Sequence, residues 1–311
     1  MISTHPLAGV YAAAVTPLHK ASPNRDMYDS LLDLESVPIL MRFLASRGCH
    51  GMVLFGTTGE GPSFSPSERE TLMRAASLHR ALLPGFRLIA GTGTPSLSET
   101  IDLTRLAFDL GCDGVLVVPP YYFRKATNEG LFHWFSEVIQ RAVPSDGYLL
   151  GYHFPSVAGI GFSIELLARL KDAFPTQFTG IKDSSHDPVL ATTLGETFGS
   201  DLVVLTGTDS YLQLAMQNKA AGCITAPANI LSPELREVWD LMQEGKDASE
   251  AQMRVTRKRH ILENYPPYPP TLKALLHRVY GLPRWSVRPP LESVSPELEE
   301  QVVHEFEALK V

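Results

Sequence analysis

The sequence predicts an α/β fold, a (β/α)8 TIM barrel with a C-terminal helical extension, on two observations. Short apolar runs without polar alternation recur along the chain, which is typical of strands buried on both faces of a parallel sheet. An amphipathic segment follows each run, as repeated strand-helix units require. The eight apolar runs span residues 9–17, 51–60, 87–94, 114–122, 148–155, 178–185, 202–210 and 222–229.

The helices between these runs begin at recognisable capping residues. In the segment SPSE at 65–68, a serine at the N-cap precedes a proline at the first helical position and an acid at the third. Comparable patterns predict helices at residues 96–110, 128–143, 163–174 and 232–242. A doubly wound sheet also alternates strands with helices and is the structural alternative.

The alternation of strands and helices ends near residue 245. We therefore predict a barrel catalytic domain over residues 1–245 and a helical extension over 246–311, packed against the barrel. The extension contains the rigid turn NYPPYPP at 264–270 and the segment RPPL at 288–291. No Gly/Ser-rich linker separates the two parts, so independent domain motion is not expected.

Composition and charge exclude several classes of protein. Against 34 acidic residues the chain has 27 Lys and Arg, a net charge of −7, which gives no basic face for nucleic acid or for an anionic membrane. No apolar run is long enough for a membrane helix, and no basic segment precedes the opening apolar stretch as in a signal peptide. We expect a cytoplasmic protein.

The cysteines and histidines predict no metal site. Cys49, Cys112 and Cys223 are odd in number and far apart, which supports neither a disulfide framework nor a cysteine-based zinc site. The ten histidines show no H-E-x-x-H or comparable ligand spacing.

Small and polar residues end several of the predicted strands. Catalytic groups of a parallel barrel cluster at the carboxyl ends of its strands, so these residues are the candidates for a site that binds a small polar molecule. They are residues 56–60, 91–93, 121–122 and 207–209, with Tyr152 and Lys182. The segment GTTGE at 56–60 offers backbone N–H groups for a carboxylate. The segment GTGT at 91–94 lacks the third glycine of a dinucleotide loop.

Lys182 is the strongest single candidate, because it follows the buried run FTGI at a position expected to reach the barrel mouth. Burial disfavours the charged form of an amine and makes the neutral nucleophile accessible near neutral pH. Such an amine condenses with a ketone to a Schiff base, which stabilises an adjacent carbanion. Alternatively, the side chain reaches solvent or pairs with Asp183.

Tyr152 is the second candidate. A phenol held by a relay of hydroxyls can deliver and remove the protons that Schiff-base formation requires, and Thr57 and Tyr122 are candidates for that relay. The alternative is a buried aromatic side chain whose hydroxyl is simply satisfied. The neighbouring His153 is either a substrate-binding residue or a strand histidine bonded to the backbone.

Five motifs occur together in one order: GTTGE at 56–60, PPYY followed by NEGL from 119 to 131, YHFP at 152–155, GIKDSS at 180–185, and TGTD with GCITAPAN from 206 to 229. With them the chain resembles, over nearly its whole length, the dihydrodipicolinate synthase and N-acetylneuraminate lyase family. The resemblance implies a barrel of Schiff-base lyases and aldolases that act on pyruvate or other 2-oxo acids without a metal or an organic cofactor.

The same resemblance implies roles for individual residues. Lys182 would form the Schiff base, Tyr152 would donate and accept protons, and Thr57 would bridge Tyr152 to Tyr122. The tyrosine matching Tyr122 enters the site of a neighbouring subunit in this family, which implies a homodimer or a homotetramer.

Three further residues would hold the 2-oxo acid. Thr58 would bind its carboxylate through backbone and hydroxyl groups, while Ile224 and Gly207 would line the pyruvate pocket.

One departure from the family pattern bears on the substrate. Dihydrodipicolinate synthases carry an arginine after the Tyr-x-x-Pro turn that binds the carboxylate of the second substrate, and Val157 occupies that position here. A valine cannot replace a bidentate charged contact. We therefore expect cleavage of a 2-keto-3-deoxy sugar acid to pyruvate and an aldehyde, with His153 contacting the hydroxyls of the sugar chain. The alternatives are dihydrodipicolinate synthase itself, a dehydratase of the same family, and a 2-oxo-acid-binding sensor without turnover.

Overall fold

Eight parallel strands form a closed barrel in the computed structural model, which describes residues 4–20 and 31–309. Each strand pairs with the next, and β1 also pairs with β8 with Tyr11 opposite Ile224. This closure confirms the barrel and excludes the doubly wound sheet. The strands are β1 Gly9–Ala13, β2 Gly51–Leu54, β3 Arg87–Gly91, β4 Gly114–Val117, β5 Leu149–His153, β6 Phe178–Asp183, β7 Val203–Thr206 and β8 Gly222–Thr225.

Both faces of the strands are buried, which explains why the apolar runs carry no polar alternation. Successive side chains of a strand point to opposite faces. Tyr11, Val53 and Ile89 belong to a cluster that fills the barrel interior. The adjacent residues Val10 and Met52 belong to the larger cluster between the strands and the helices.

The helices form an outer layer around the barrel. They are α1 Val37–Ser46, α2 Pro66–Arg80, α3 Leu97–Asp109, α4 Asn128–Ala142, α5 Pro155–Ala158, α6 Ile164–Ala173, α7 Pro188–Phe198, α8 Leu212–Gln217, α9 Ala228–Gln243, α10 Ser249–Glu263, α11 Tyr268–Tyr280 and α12 Pro296–Ala308. The capping box predicted at Ser65 is present, with Glu68 as its partner. Along residues 4–20 and 31–309, no helix is both long and apolar enough to cross a membrane.

One predicted helix begins earlier than expected. The pattern predicts a start at Ser232, whereas α9 begins at Ala228, whose N–H donates to the Thr225 hydroxyl. The backbone departs from helical geometry at Leu231, two residues before Pro233. Proline is compatible with a first helical turn, so the sequence pattern indicated only the second, regular part of this helix.

Helices α10, α11 and α12 form the C-terminal extension. The predicted boundary at residue 245 falls in the turn between α9 and α10, and the division into two domains stays a prediction. Residues 1–3, 21–30 and 310–311 of the two predicted domains lie outside the described residues.

A buried ion pair joins the extension to the barrel. The Lys273 Nζ on α11 donates to the Glu60 Oε1 at 2.5 Å, and the two side chains are 1% and 0% exposed. The Glu60 Oε2 accepts from the Arg288 backbone N–H at 2.8 Å, and the Lys273 Nζ also donates to the Ser286 carbonyl oxygen. Burial lowers the pKa of Lys273, and Glu60 opposes this shift. The pair therefore fixes the loop after β2 against the extension.

Replacing Lys273 by Met tests how much this ion pair contributes to the free energy of unfolding. Lys273→Met leaves the Glu60 carboxylate buried without its cation, so we expect the free energy of unfolding to fall by about 3–5 kcal/mol in urea titrations. The control is Lys246→Met, because the Lys246–Glu244 pair is more than half exposed and an exposed pair contributes less than about 1 kcal/mol. Equal losses in the two variants would contradict the argument.

Candidate active site

Lys182 and Tyr152 lie side by side at the carboxyl ends of β6 and β5. They are directly paired in the strand register, and the Lys182 Nζ lies 4.2 Å from the centroid of the Tyr152 ring. Lys182 is 4% exposed and Tyr152 is 7% exposed. The face of an aromatic ring attracts a cation but does not neutralise it as a carboxylate does.

Two other roles for Lys182, extension of its side chain to solvent and pairing with Asp183, do not fit this geometry. The side chain is buried, so it does not extend to solvent. Asp183 points to the opposite face of β6, where its Oδ1 accepts from the Ser185 backbone N–H at 2.9 Å. Within residues 4–20 and 31–309, no carboxylate lies at salt-bridge distance from the Lys182 amine. The site therefore contains a buried amine without a counter-ion.

The Tyr152 hydroxyl faces Thr57 from the loop after β2. The Tyr152 Oη and the Thr57 Oγ1 are 3.4 Å apart, a long contact of the kind that tightens when a ligand completes a site. The Tyr152 ring also stacks on Phe154, with centroids 5.5 Å apart and an interplanar angle of 27°. Stacking fixes the ring, and the hydroxyl can pass a proton to or from Thr57.

The loop that carries Thr57 and Thr58 is held in a tight conformation. Phe55 and Glu60 both have positive φ, at 56° and 57°. A Cβ atom at Gly61 would lie 2.0 Å from the Phe55 carbonyl oxygen, so the chain can fold back here only with glycine. Thr58 is buried at the centre of this loop.

Ile224 lies on β8, and Gly207 directly follows the last residue of β7. Ile224 is fully buried in the interior cluster that contains Tyr152. The Gly207 N–H donates to the Asp183 carbonyl oxygen at 2.6 Å, and a Cβ atom at Gly207 would lie 1.9 Å from the Ser184 Oγ. A side chain at this position would therefore displace Ser184.

The structure does not bring His153 to the other candidates. Strand alternation turns its ring outward, where the Nδ1 accepts from the Phe162 backbone N–H at 2.9 Å. A Cβ atom at Gly161 would lie 2.6 Å from the His153 Cε1, which shows how closely the ring is enclosed. Burial lowers the pKa of His153, and Asp183 opposes this shift. The expected contact between His153 and a sugar chain does not fit this orientation, whereas the alternative of a backbone-bonded strand histidine does.

Tyr122 also lies apart from the Tyr152–Thr57 pair within one chain. Its side chain is 76% exposed and packs edge-to-face against Phe123, which is 71% exposed. Among the described residues, Tyr122 makes no hydrogen bond with Thr57. The relay expected through Tyr122 is thus not formed within a single chain.

A cavity of about 260 Å³ opens beside Tyr152 and Thr57. Lys182 is not among the residues that line it. The lining residues are Phe55, Gly56, Thr57, Pro62, Arg69, Gly91, Gly93, Leu116, Val118, Tyr121, Tyr152, Phe154, Val157 and Ala158.

Arg69 is a residue of this cavity that sequence reasoning missed. It is buried on α2, its Nη2 donates to the Gly61 carbonyl oxygen at 2.7 Å, and burial lowers its pKa. The signal was available, because Arg69 shares the helical spacing of the buried residues Leu72, Met73 and Ala76. Across the described part of the chain, no group of three or more His, Cys, Asp or Glu side chains is arranged to hold a metal ion.

A parallel barrel with a buried, unpaired lysine beside a tyrosine at the carboxyl ends of its strands has the groups of a Schiff-base lyase. The comparisons with known proteins agree with this class. The chain belongs to the dihydrodipicolinate synthetase family, whose model matches residues 6–309, and it is an enzyme of the pyruvate-dependent lyase class that forms a Schiff base.

The relatives include an uncharacterized lyase and several named synthases. An uncharacterized DapA-like lyase of Chloroflexus aurantiacus is 37% identical over 266 residues, covering 86% of this chain and 87% of that protein. A 4-hydroxy-tetrahydrodipicolinate synthase of Thermus thermophilus is 35% identical over 277 residues, covering 87% of this chain and 89% of that protein. The crystal structure of dihydrodipicolinate synthase from Agrobacterium tumefaciens is 33% identical with a TM-score of 0.84, covering 97% and 99% of the two chains.

Replacing Tyr152 by Phe tests its role as proton donor and acceptor. The enamine of pyruvate exchanges its methyl protons with solvent only if protons are delivered and removed at the site. We expect Tyr152→Phe to slow deuterium exchange into the pyruvate methyl group by about 10²–10⁴-fold, measured by NMR in D₂O. The control is Tyr148→Phe, because Tyr148 precedes the same strand at its other end and packs against His5. Unchanged exchange in Tyr152→Phe would exclude the assigned role.

Proposed function

We propose that the protein is a class I aldolase in which Lys182 forms the Schiff base with a 2-oxo acid. The observation that carries the proposal is the buried Lys182 amine, 4.2 Å from the Tyr152 ring centroid and without a carboxylate partner in the described structure. A structural lysine at such a position is normally paired, whereas a nucleophilic lysine must be able to lose its proton.

In this mechanism the Lys182 amine attacks the carbonyl carbon of pyruvate. Loss of water gives the Schiff base, and removal of a methyl proton gives the enamine. Tyr152 donates and accepts the protons of these steps. Thr57, whose Oγ1 lies 3.4 Å from the Tyr152 Oη, relays them. The iminium itself is the electron sink, so we propose that no metal or organic cofactor takes part.

Thr58, Gly207 and Ile224 surround the pyruvate half in this proposal. The tight GTTGE loop offers backbone N–H groups for the carboxylate, and the lack of a side chain at Gly207 leaves Ser184 in place beside the site. The fully buried Ile224 supports an apolar wall for the methyl group.

The identity of the second substrate, the aldehyde that joins or leaves pyruvate, depends on residues other than Lys182. Cleavage of a 2-keto-3-deoxy sugar acid, the activity expected from the sequence, loses support because His153 turns away from the site. Dihydrodipicolinate synthase activity is the second candidate, favoured by relatives that carry this name. Val157, which is 57% exposed, supplies no positive charge for its second substrate. A dehydratase would use the same lysine and tyrosine, and a sensor would not need the contact between Tyr152 and Thr57.

We further propose that the protein acts as a homodimer or homotetramer. The exposed aromatic pair Tyr122 and Phe123 supports this, because two adjacent rings that are 76% and 71% exposed favour an interface. A partner's Tyr122 would complete the relay at Thr57. A cytoplasmic location stays a prediction, which the free and buried Cys49, Cys112 and Cys223 support.

Borohydride trapping tests the Schiff base. Reduction in the presence of pyruvate should attach a pyruvyl group to the peptide that contains Lys182, because only the imine is reduced to a stable amine, and mass spectrometry detects the adduct. Lys182→Ala should remove both the adduct and nearly all deuterium exchange into pyruvate.

The matched control for trapping is Lys171→Ala. Lys171 is a partly buried lysine in the last turn of α6, ahead of the start of β6, and its Nζ donates to the Pro175 carbonyl oxygen. This variant should still give the adduct at Lys182. An adduct that persists in Lys182→Ala, or no adduct in the wild type, would overturn the proposal.

A further inference from the structure

The segment RPPL at 288–291 has no part in the proposed chemistry, yet its first residue reaches the GTTGE loop after β2. The Arg288 backbone N–H donates to the Glu60 Oε2 at 2.8 Å. The Arg288 Nη1 donates to the Ser63 carbonyl oxygen, also at 2.8 Å. A residue of the C-terminal extension therefore binds the chain at two points where it leaves the GTTGE loop.

The Arg288 guanidinium also holds the start of α2. Its Nη1 donates to the Glu68 Oε2 at 2.9 Å and its Nη2 donates to the Glu68 Oε1, so the contact is bidentate. Glu68 is the acid of the capping box with Ser65, and its hydrogen bond with Arg288 lowers the pKa of Glu68 to about 2. The guanidinium carbon lies 4.6 Å from the centroid of the Phe64 ring, which packs edge-to-face on Phe55 at the start of the loop. One side chain thus supports the chain on both sides of the loop.

Lys273 on α11 completes this attachment. Its Nζ donates to the Glu60 Oε1 and to the Ser286 carbonyl oxygen, at 2.5 and 2.6 Å. The Ser286 backbone N–H donates in turn to the carbonyl oxygen of Leu18, in the loop after β1, at 3.0 Å. The extension therefore joins the loops that follow two neighbouring strands of the barrel.

The position of Thr57 depends on the backbone of its loop. Thr57 is exposed, so packing in the core does not fix its side chain. Its carbonyl oxygen accepts from the Glu60 backbone N–H at 3.1 Å, which closes a turn over residues 57–60. Glu60 ends that turn with φ at 57°, a conformation that is unfavourable for a residue with a Cβ atom. The contacts that hold the Glu60 carboxylate therefore also hold Thr57 opposite Tyr152.

We infer that Arg288 and Lys273 are positioning residues of the active site, which hold the GTTGE loop where it serves the bound pyruvate. Both act through the loop and not on the reacting atoms. The inference rests on the proposed Schiff base at Lys182 and goes further by assigning the extension a function in catalysis. Arg288 is the better residue to substitute, because its side chain and that of Glu68 are 17% and 20% exposed, whereas the Lys273–Glu60 pair is fully enclosed.

Replacing Arg288 by Met tests the inference in the exchange of deuterium into the pyruvate methyl group. We expect KM for pyruvate to rise by about tenfold, because Thr58 moves from the carboxylate, and the rate at saturating pyruvate to fall by about tenfold, because Thr57 moves from Tyr152. The borohydride adduct should still form at saturating pyruvate, since Lys182 lies on β6. Circular dichroism at the assay temperature verifies the fold. A folded Arg288→Met variant with wild-type KM and rate would overturn the inference.

The matched control is Arg284→Met. Arg284 lies four residues earlier in the same segment, and its partner Glu299 belongs to α12 within the extension. Because Arg284 is 61% exposed, its substitution should change KM and the rate by less than about twofold. The conservative variant Arg288→Lys keeps the charge without the bidentate contact and should give values between those of the wild type and Arg288→Met. Equal losses in Arg284→Met and Arg288→Met would contradict the assignment.

A double-mutant cycle with Thr57→Val distinguishes positioning from a general loss of structure. If Arg288 acts through Thr57, the effects of the two substitutions on the rate are not additive. In the Thr57→Val background, Arg288→Met should lower the rate at saturating pyruvate by less than about twofold, because the relay is already lost. Retention of the full loss in this background would show that Arg288 does not act through Thr57 and would overturn the inference.

Borohydride trapping in the wild type separates this inference from the proposed function. Absence of the pyruvyl adduct at Lys182 overturns the proposed Schiff base itself. A normal adduct, together with wild-type exchange kinetics in Arg288→Met, overturns only the positioning role of the extension.

Discussion

The buried ion pair of Lys273 and Glu60 joins the C-terminal extension to the loop after β2, two segments that are far apart in the sequence. Glu60 ends the GTTGE segment in a left-handed backbone conformation, with φ at 57°. Its two carboxylate oxygens are held by the Lys273 amine and by the Arg288 backbone N–H. Because a buried carboxylate must be paired, the loop after β2 can take this conformation only when the extension is docked. The position of Thr57, three residues earlier, therefore depends on helices at the other end of the chain.

The pleat of the strands determines which side chains can take part in the chemistry. Tyr152 and Lys182 occupy inward positions on adjacent strands and are paired in register. His153 and Asp183 follow each of them by one residue and are paired on the outward face. The inward pair, Tyr152 and Lys182, and the outward pair, His153 and Asp183, therefore make different contacts. On the inner face, the Lys182 amine has no carboxylate partner among the described residues, whereas His153 and Asp183 on the outer face accept hydrogen bonds from backbone N–H groups.

Sequence patterns predicted the fold well because the barrel repeats one local unit. All eight apolar runs contain a strand, and the capping box at Ser65 forms as predicted. Helices α1, α5, α7 and α8 are not predicted from the sequence. Helices α5 and α8 are only four and six residues long and α7 is weakly amphipathic, whereas α1 is as amphipathic as the predicted α6, so its pattern was present in the sequence. The residues that end strands were identified as site candidates because position in a repeat is local information. The direction of each side chain depends on the phase of its strand. The contact of His153 with substrate therefore stays a prediction, against which its outward ring argues.

Features that depend on contacts between distant segments could not be predicted. Lys273 and Glu60 are 213 residues apart, and nothing in either local sequence indicates that they meet. The apolar cavity is likewise assembled from the loop after β2, the end of β4 and the turn after β5. From the sequence alone, Val157 is informative only as the position at which the arginine of dihydrodipicolinate synthases is missing. The structure adds that Leu116, Val118 and Phe154 line the same cavity as Val157.

The Lys182–Tyr152 pair and Val157 lie on different kinds of structure. Lys182 and Tyr152 are held by hydrogen-bonded strands of a closed barrel, so their relative position cannot change without disturbing the sheet. Val157 lies on the exposed side of the four-residue helix α5, where a substitution disturbs no core. A substitution at Val157 can therefore change the surroundings of Tyr152 and Phe154 while the Lys182–Tyr152 pair keeps its place in the sheet. For that reason, 35% identity to a named synthase supports the Schiff-base chemistry of this chain more strongly than it supports the same acceptor.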